Sequence, residues 1–266
     1  MKFIFIAILF FSTIVSGQSS TPFVLGVTDE LQSKVLQEKR LLNIYLPEGY
    51  QSTDSIKYPV IYLLDGSADE DFIHIAGLVQ FCSFEWVHLI PRCIVVGIAT
   101  VDRRRDFTFP TTIEADKIRF PSSGHSDQFI RFIEEELQPY IQQHYAANSS
   151  STIIGQSLGG LLVTEILFKK PTLFRQYLII SPSLWWDNGS ILQTTVPDTK
   201  NIQIYIAVGK EGLAPGKVPR VMEVDANVLA DQLKGKATVY FDYLPDENHA
   251  TILHQAVLNA FKKISL

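Results

Sequence analysis

Cysteine is scarce in this chain. With only Cys82 and Cys93 in 266 residues, a disulfide-stapled scaffold and a four-cysteine zinc site are both excluded. Long basic runs are missing too. Lys and Arg total 23 against 28 Asp and Glu, a formal charge of −5, which argues against phosphate-backbone binding and predicts no nucleic-acid partner. There is no G-X-Y repeat, sustained heptad or succession of apolar spans, so a collagen, a coiled coil and a multi-pass membrane protein drop out. What is there is 46% hydrophobic and 19% charged residues, enough apolar side chain for a packed core and too little charge for extended disorder.

The longest apolar run stands at the start. Lys2 precedes residues 3–11, and the run continues through Ile14 and Val15 to Ser16, Gly17 and the polar Gln18-Ser19-Ser20. A charged n-region, a short apolar centre and a small-residue exit are the parts of a secretory signal peptide. Residues 1–17 are therefore expected to be cleaved, leaving a secreted or periplasmic protein with no stable membrane insertion. An uncleaved anchor is the alternative, for which the run is short. Loss of Lys2 makes the mature charge −6. Export permits a Cys82–Cys93 disulfide; the competing expectation is two small buried apolar residues, because Cys93 opens a strand-like run.

From residue 21 to 266 strand-like runs alternate with helical periods and no linker intervenes, which predicts one domain. Strands are expected at 41–46, 59–64, 93–99, 151–155, 176–180, 202–208 and 237–243. Helices are expected near 69–80, 125–144, 158–169, 218–234 and 250–263. The helix over 125–144 is the clearest, with Phe129, Ile130, Phe132, Ile133, Leu137 and Ile141 on one stripe. This alternation predicts an α/β fold: a mostly parallel central sheet with helices on both faces. The segment 100–124, which contains Pro110 and Pro121, reads as the longest irregular stretch.

Gly155-Gln156-Ser157-Leu158-Gly159-Gly160 is a G-x-S-x-G pattern with one further glycine. An apolar run precedes it and an apolar helical run follows, which is the strand–turn–helix setting the pattern needs. There Ser157 would sit on a strained turn with its Oγ above the sheet, and Gly155 and Gly159 would make room where a Cβ would collide. The Leu158 N–H then opens a helix beside Oγ and supplies half of an oxyanion hole. The other half is expected from Gly66 or Ser67, after strand 59–64. Of six histidines, His249 and His254 alone follow Ser157. His249 lies in a polar loop after the last strand, the place of the base, and His254 sits a turn into an apolar helix. His74, His88, His125 and His144 read as structural. Glu211, leaving strand 202–208 at its C-terminal edge, is the expected acid partner. Asp225, Asp242 and Asp246 are its competitors.

These segments resemble the esterase branch of the α/β-hydrolase superfamily, which includes feruloyl and acetyl esterases, enterochelin-type siderophore esterases and S-formylglutathione hydrolases. The resemblance runs from about residue 22 to 264 and is carried by residues 40–50, Tyr62-Leu-Leu-Asp-Gly66, Asp102-Arg-Arg-Arg-Asp106, Gly155–Gly160, Ser181-Pro-Ser-Leu-Trp-Trp186 and Glu247-Asn-His249. The Asp-Arg-Arg-Arg-Asp and Ser-Pro-Ser-Leu-Trp-Trp segments are similar to exported siderophore-esterase-like members most. It implies Ser157 as nucleophile and His249 as base. Some such members work with a serine–histidine dyad, so Glu211 stays open, and Asp106-Phe-Thr-Phe-Pro110 departs from the Asp-Leu-Thr-Pro continuation of relatives.

The expected activity is hydrolysis of a small-molecule carboxylic ester through an acyl-enzyme, with no metal or organic cofactor. Trp185 and Trp186 are expected at the rim, where they would stack on a sugar, catechol or cinnamoyl ring; the competing expectation is loop packing. Arg105, with Arg103 and Arg104, would pair with an acidic substrate or else lock its own loop through Asp102 and Asp106. Acyl transfer with the same residues, or binding without catalysis on a hydrolase fold, are the alternative functions.

Overall fold

Runs of Ile, Val, Leu and Tyr with no polar face need cover on both sides, and here they form the inner strands of one sheet. The computed structural model describes residues 20–53, 55–215 and 218–266, so the expected signal peptide at 1–17 lies outside the described residues. The strands are β1 Val27–Gln32, β2 Lys39–Tyr45, β3 Tyr58–Leu63, β4 Ile94–Ile98, β5 Ala147–Gln156, β6 Gln176–Ile180, β7 Gln203–Gly209 and β8 Thr238–Leu244. Their spatial order is β1-β2-β4-β3-β5-β6-β7-β8. β2 runs antiparallel to both neighbours, and β3 through β8 are parallel.

The helices are α1 Phe72–Cys82, α2 Arg103–Phe107, α3 Glu114–Arg119, α4 Ser126–Phe132, α5 Gln138–His144, α6 Leu158–Lys169, α7 Met222–Leu233 and α8 Ile252–Phe261. Successive strand residues feed opposite layers. Ile154, Leu178 and Tyr205 pack with Ile75 and Val79 of α1 and Ile252 and Val257 of α8. Their neighbours Ile153, Tyr177 and Ile204 pack on the other side with Phe129 of α4, Ile166 of α6 and Leu229 of α7. Among the described residues no helix is long and apolar enough to cross a membrane.

The structure departs from the expected elements at three places. β1 is an additional strand: it pairs only with β2 and carries Thr28, Asp29 and Glu30, so it shows no apolar run. The stretch 100–124 holds α2 and α3. The predicted helix over 125–144 is interrupted by a π turn at Ile133–Leu137, between α4 and α5. Pro139 lacks an N–H and its ring would press on the Glu135 carbonyl, so the backbone widens just before it. From this turn Glu136 accepts from Ser33 Oγ (2.5 Å) and from the N–H groups of Lys34 (2.8 Å) and Val35 (3.1 Å), fixing the β1–β2 connection. Cys82 and Cys93 are both free and buried. Burial pushes the Cys93 thiol up to about 12, which keeps it protonated and inert at neutral pH.

The arginine loop is fastened from beneath. Arg40, 1% exposed, places Nη2 2.6 Å from Asp106 Oδ2 and also touches Glu38. Arg105 binds the same two acids, through Nε to Asp106 (2.8 Å) and through both terminal nitrogens to Glu38 (3.0 and 2.6 Å). Asp102 caps α2 by accepting from the Arg105 N–H at 3.0 Å. Removing one member of a buried ion network leaves charges without compensation. Asp106→Ala should therefore lower the unfolding free energy by about 3 kcal/mol in urea titrations. A loss under about 1 kcal/mol would mean that Glu38 alone satisfies both guanidinium groups.

Candidate active site

The turn after β5 has the strain that its sequence predicts. Ser157 takes φ 59°, ψ −119°, a region unfavourable to any residue with a side chain, and α6 starts at the next position. The turn is pinned from both sides. Ser157 N–H donates to the Ile180 carbonyl (3.0 Å), and the Ser157 carbonyl accepts from Leu161 (3.0 Å) and Ser183 (2.9 Å). A Cβ on Gly155 would stand 2.5 Å from the Gly159 carbonyl oxygen, so only glycine fits there. Gly159 corrects the expectation: its own Cβ would lie 3.5 Å from Leu64, an ordinary contact, and it matters because its backbone is what Gly155 must clear.

His249 and Glu211 arrive from the loops after β8 and β7. The two loops are packed on each other, since Lys210 N–H donates to the Glu247 carbonyl at 2.8 Å and a Cβ on Gly209 would lie 2.7 Å from the same oxygen. His249 Nδ1 lies 2.7 Å from Glu211 Oε2, and the Glu211 side chain is 4% exposed against 46% for His249. The other Glu211 oxygen accepts from Ser181 Oγ and more distantly from Gly209 N–H (3.4 Å). Behind it, Glu223 accepts from the N–H groups of Glu211 (2.8 Å) and Gly212 (3.0 Å). Burial pushes the Glu223 carboxyl up, but amide donations from Glu211, Glu223 itself and Gly212 outweigh this and hold it below the usual range, so it is an anion at neutral pH. The Gln156 side-chain amide donates to the His249 carbonyl, tying the histidine loop to the serine turn.

Ser157, Glu211 and His249 line one cleft of about 440 Å³, together with Ser183, Trp185 and Met222. Ser157, Ser183 and Trp185 also line a second lobe of about 600 Å³, whose far wall is Arg103, Arg104, Arg119 and Phe120. Arg104 and Arg119 stand over the Phe120 ring at 4.6 and 4.9 Å from its centroid. Arg103 is partly committed elsewhere, with two nitrogens each 2.8 Å from an oxygen of Asp65 and Nη2 3.1 Å from the Gln156 carbonyl.

Four expectations need correction or sorting. The Gly66 N–H is spent on the Ile98 carbonyl at 3.0 Å, and its missing Cβ is required by Gly97, whose Cα would lie 2.3 Å away. Gly66 therefore serves strand packing. Ser67 N–H has no hydrogen-bond partner among the described residues, and Leu158, as the first residue of α6, has an N–H with no intrahelical acceptor. Arg105 is turned into the Glu38–Asp106 network and lines neither lobe. The two tryptophans separate: Trp185 lines both lobes, whereas Trp186 is 1% exposed and donates its indole N–H to the Phe109 carbonyl at 2.9 Å. His254 stays outside the cleft, paired with His74 across α1 and α8 at 3.4 Å. The sequence reading did not assign Ser181, Ser183, Gln156, Arg119 or Phe120. The Ser-Pro-Ser segment was visible as a motif, but nothing in its spacing says which hydroxyl faces which group.

An eight-stranded sheet with one antiparallel strand, and a serine on the turn between its fifth strand and the next helix, define an α/β-hydrolase. The chain belongs to the Putative esterase family, whose model matches residues 33–245. It is 34% identical over 214 residues to the ferri-bacillibactin esterase BesA of Bacillus subtilis (strain 168), covering 73% of this chain and 74% of the relative. Among solved structures, an IroE-like serine hydrolase from Shewanella oneidensis superposes with a TM-score of 0.79 at 31% identity, covering 89% of this chain and 79% of that one. The BES protein from Bacillus cereus gives 0.77 at 26% identity, covering 96% and 100%. The chain is a carboxylic ester hydrolase.

Proposed function

We propose that Ser157, His249 and Glu211 form a catalytic triad and that the ester they cleave is a siderophore ester. The observation that carries the chemistry is that Ser157, Glu211 and His249 line one cleft, with His249 Nδ1 2.7 Å from the buried Glu211 carboxylate. With Nδ1–H donated to Glu211, the Nε2 lone pair is the one left to take the Ser157 proton. Ser157 Oγ attacks the carbonyl carbon, and the oxyanion is met by the N–H groups of Leu158 and Ser67. His249 returns the proton to the departing alcohol, then draws one from a water that hydrolyses the acyl-enzyme. Every step uses side chains, backbone and water.

Two facts support the substrate. Relatives of this chain are named for siderophore esters. The second lobe offers guanidinium groups and aromatic rings together, which suits a catecholate ester whose metal complex is both aromatic and net negative. Iron here is cargo of the substrate. The reading of residues 1–17 as a cleaved leader puts this hydrolysis outside the cytoplasm.

A panel of short aryl esters, feruloyl esters, acetylated sugars and a catecholate trilactone with and without ferric iron tests the proposal. The iron-loaded trilactone should give the highest kcat/KM. The double variant Arg104→Gln/Arg119→Gln should raise KM for it about tenfold and leave a neutral aryl ester within about twofold. Equal losses on both esters would remove the charge argument, and a panel in which the trilactones are inert would remove the siderophore.

A further inference from the structure

We propose that Ser183 is a second catalytic hydroxyl, which donates a hydrogen bond to the Ser157 Oγ while that oxygen loses and regains its proton. The inference rests on the hydrolase reading above and adds a residue to it. Ser183 Oγ lies 3.3 Å from Ser157 Oγ. The residue is 2% exposed, yet it lines both lobes of the cleft, so its hydroxyl is shut off from bulk water except through the site.

The direction of the bond follows from satisfaction. Buried hydroxyl groups find acceptors, and Ser157 Oγ is the one hydrogen-bond partner of the Ser183 hydroxyl among the described residues. The Ser157 proton is needed by His249, so it cannot serve both. Ser183 O–H therefore points at Ser157 Oγ, and Ser157 O–H is left for His249. At 3.3 Å the resting bond is long for two hydroxyl groups. It strengthens when Ser157 Oγ carries alkoxide character, because a donor to an ionised oxygen is shorter and stronger. That happens twice: as the proton passes to His249 and the Oγ–carbon bond forms, and again as that bond breaks and Oγ leaves the acyl group. Ser183 keeps its own proton throughout.

The backbone holds Ser183 to this task. Ser183 N–H donates to the Ser157 carbonyl at 2.9 Å. Two residues earlier the chain bends through Ser181, which is fully buried at φ 42° and bonded through N–H to the Ala207 carbonyl at 2.7 Å. The Ser181 hydroxyl donates to Glu211. One strained three-residue turn thus reaches the serine at one end and the carboxylate at the other, and it leaves the Ser183 side chain little room to point elsewhere.

The isosteric pair Ser183→Thr and Ser183→Val tests this, because the two differ in shape by almost nothing and in the hydroxyl completely. Both are assayed on p-nitrophenyl butyrate by steady-state and burst kinetics, with thermal midpoints measured alongside. Ser183→Thr should exceed Ser183→Val by tenfold or more in kcat, with KM values within about twofold and the deficit present in both the burst and the steady phase. Equal kcat in the two variants overturns the proposal, whatever common loss their extra bulk brings. A wild-type chain whose Ser157 takes no fluorophosphonate label overturns the hydrolase reading and this role with it, whereas a labelled wild type with Thr and Val equal removes the second hydroxyl alone.

Discussion

Ser157→Ala is expected to cut kcat by about 10⁴- to 10⁶-fold on any ester the wild type hydrolyses, with KM little altered. The residue sits at φ 59° in a turn pinned by backbone hydrogen bonds to Ile180, Leu161 and Ser183, none of which uses its side chain. The substitution therefore deletes one oxygen and leaves the turn in place. What persists is the rate supplied by oriented N–H groups and by binding, which in other serine hydrolases is above that of water. Fluorophosphonate labelling of the intact protein should vanish in the same variant, because the probe reacts with the same oxygen. Hydrolysis within tenfold of wild type would show that another group attacks and that the strained turn has some other use.

Glu211→Gln should lower kcat by about 10²- to 10⁴-fold. In the proposed triad the carboxylate does two things for His249: it fixes the tautomer through Nδ1, and it offsets the positive charge that appears when the ring takes a proton. Glutamine keeps the size of the side chain and the hydrogen bond from Ser181, but it has no charge and can present an N–H where an acceptor is needed. Because the Glu211 side chain is 4% exposed, water does not fill that role. The contrast with His249→Ala is informative. A histidine loss of about 10⁴-fold or more beside a glutamate loss under threefold would describe a dyad, with Glu211 holding only the loops together. Parallel losses describe a triad.

Most of the framework can be read from the residues because its signals are local. Seven apolar runs fall on observed strands, and the strand–turn–helix around Ser157 lies where the glycines put it. Ser157 and His249 stand out because chemistry at a sheet edge asks for those residue types at those places. The remainder depends on which way neighbouring groups turn. Trp185 and Trp186 are adjacent in the chain, yet one lines the cleft and the other enters the core, where its indole N–H meets the Phe109 carbonyl. Whether Gly66 or Ser67 offers its N–H depends on a single bond to Ile98 on a neighbouring strand. The arginine triplet divides in the same way: Arg105 is claimed by Glu38 and Asp106 from below, and Arg104 is left to the cleft. Spacing carries none of this information. β1 escapes for the opposite reason: an exposed edge strand is free to be polar.

One signal was present in plain view. Phe129, Ile133, Leu137 and Ile141 recur every fourth residue and all are fully buried. On an ordinary α-helix, at about 100° per residue, a step of four overshoots a full circle by about 40°, so three steps would swing the last side chain about 120° away from the first. The π turn at Ile133–Leu137 amounts to one surplus residue, which takes back about 100° and returns Ile141 to within about 20° of Phe129. The strict fourfold rhythm is thus itself a record of the widened turn: removing one residue within Ile133–Leu137 would close it to an ordinary α turn and leave the second half of the helix in phase with the core it covers.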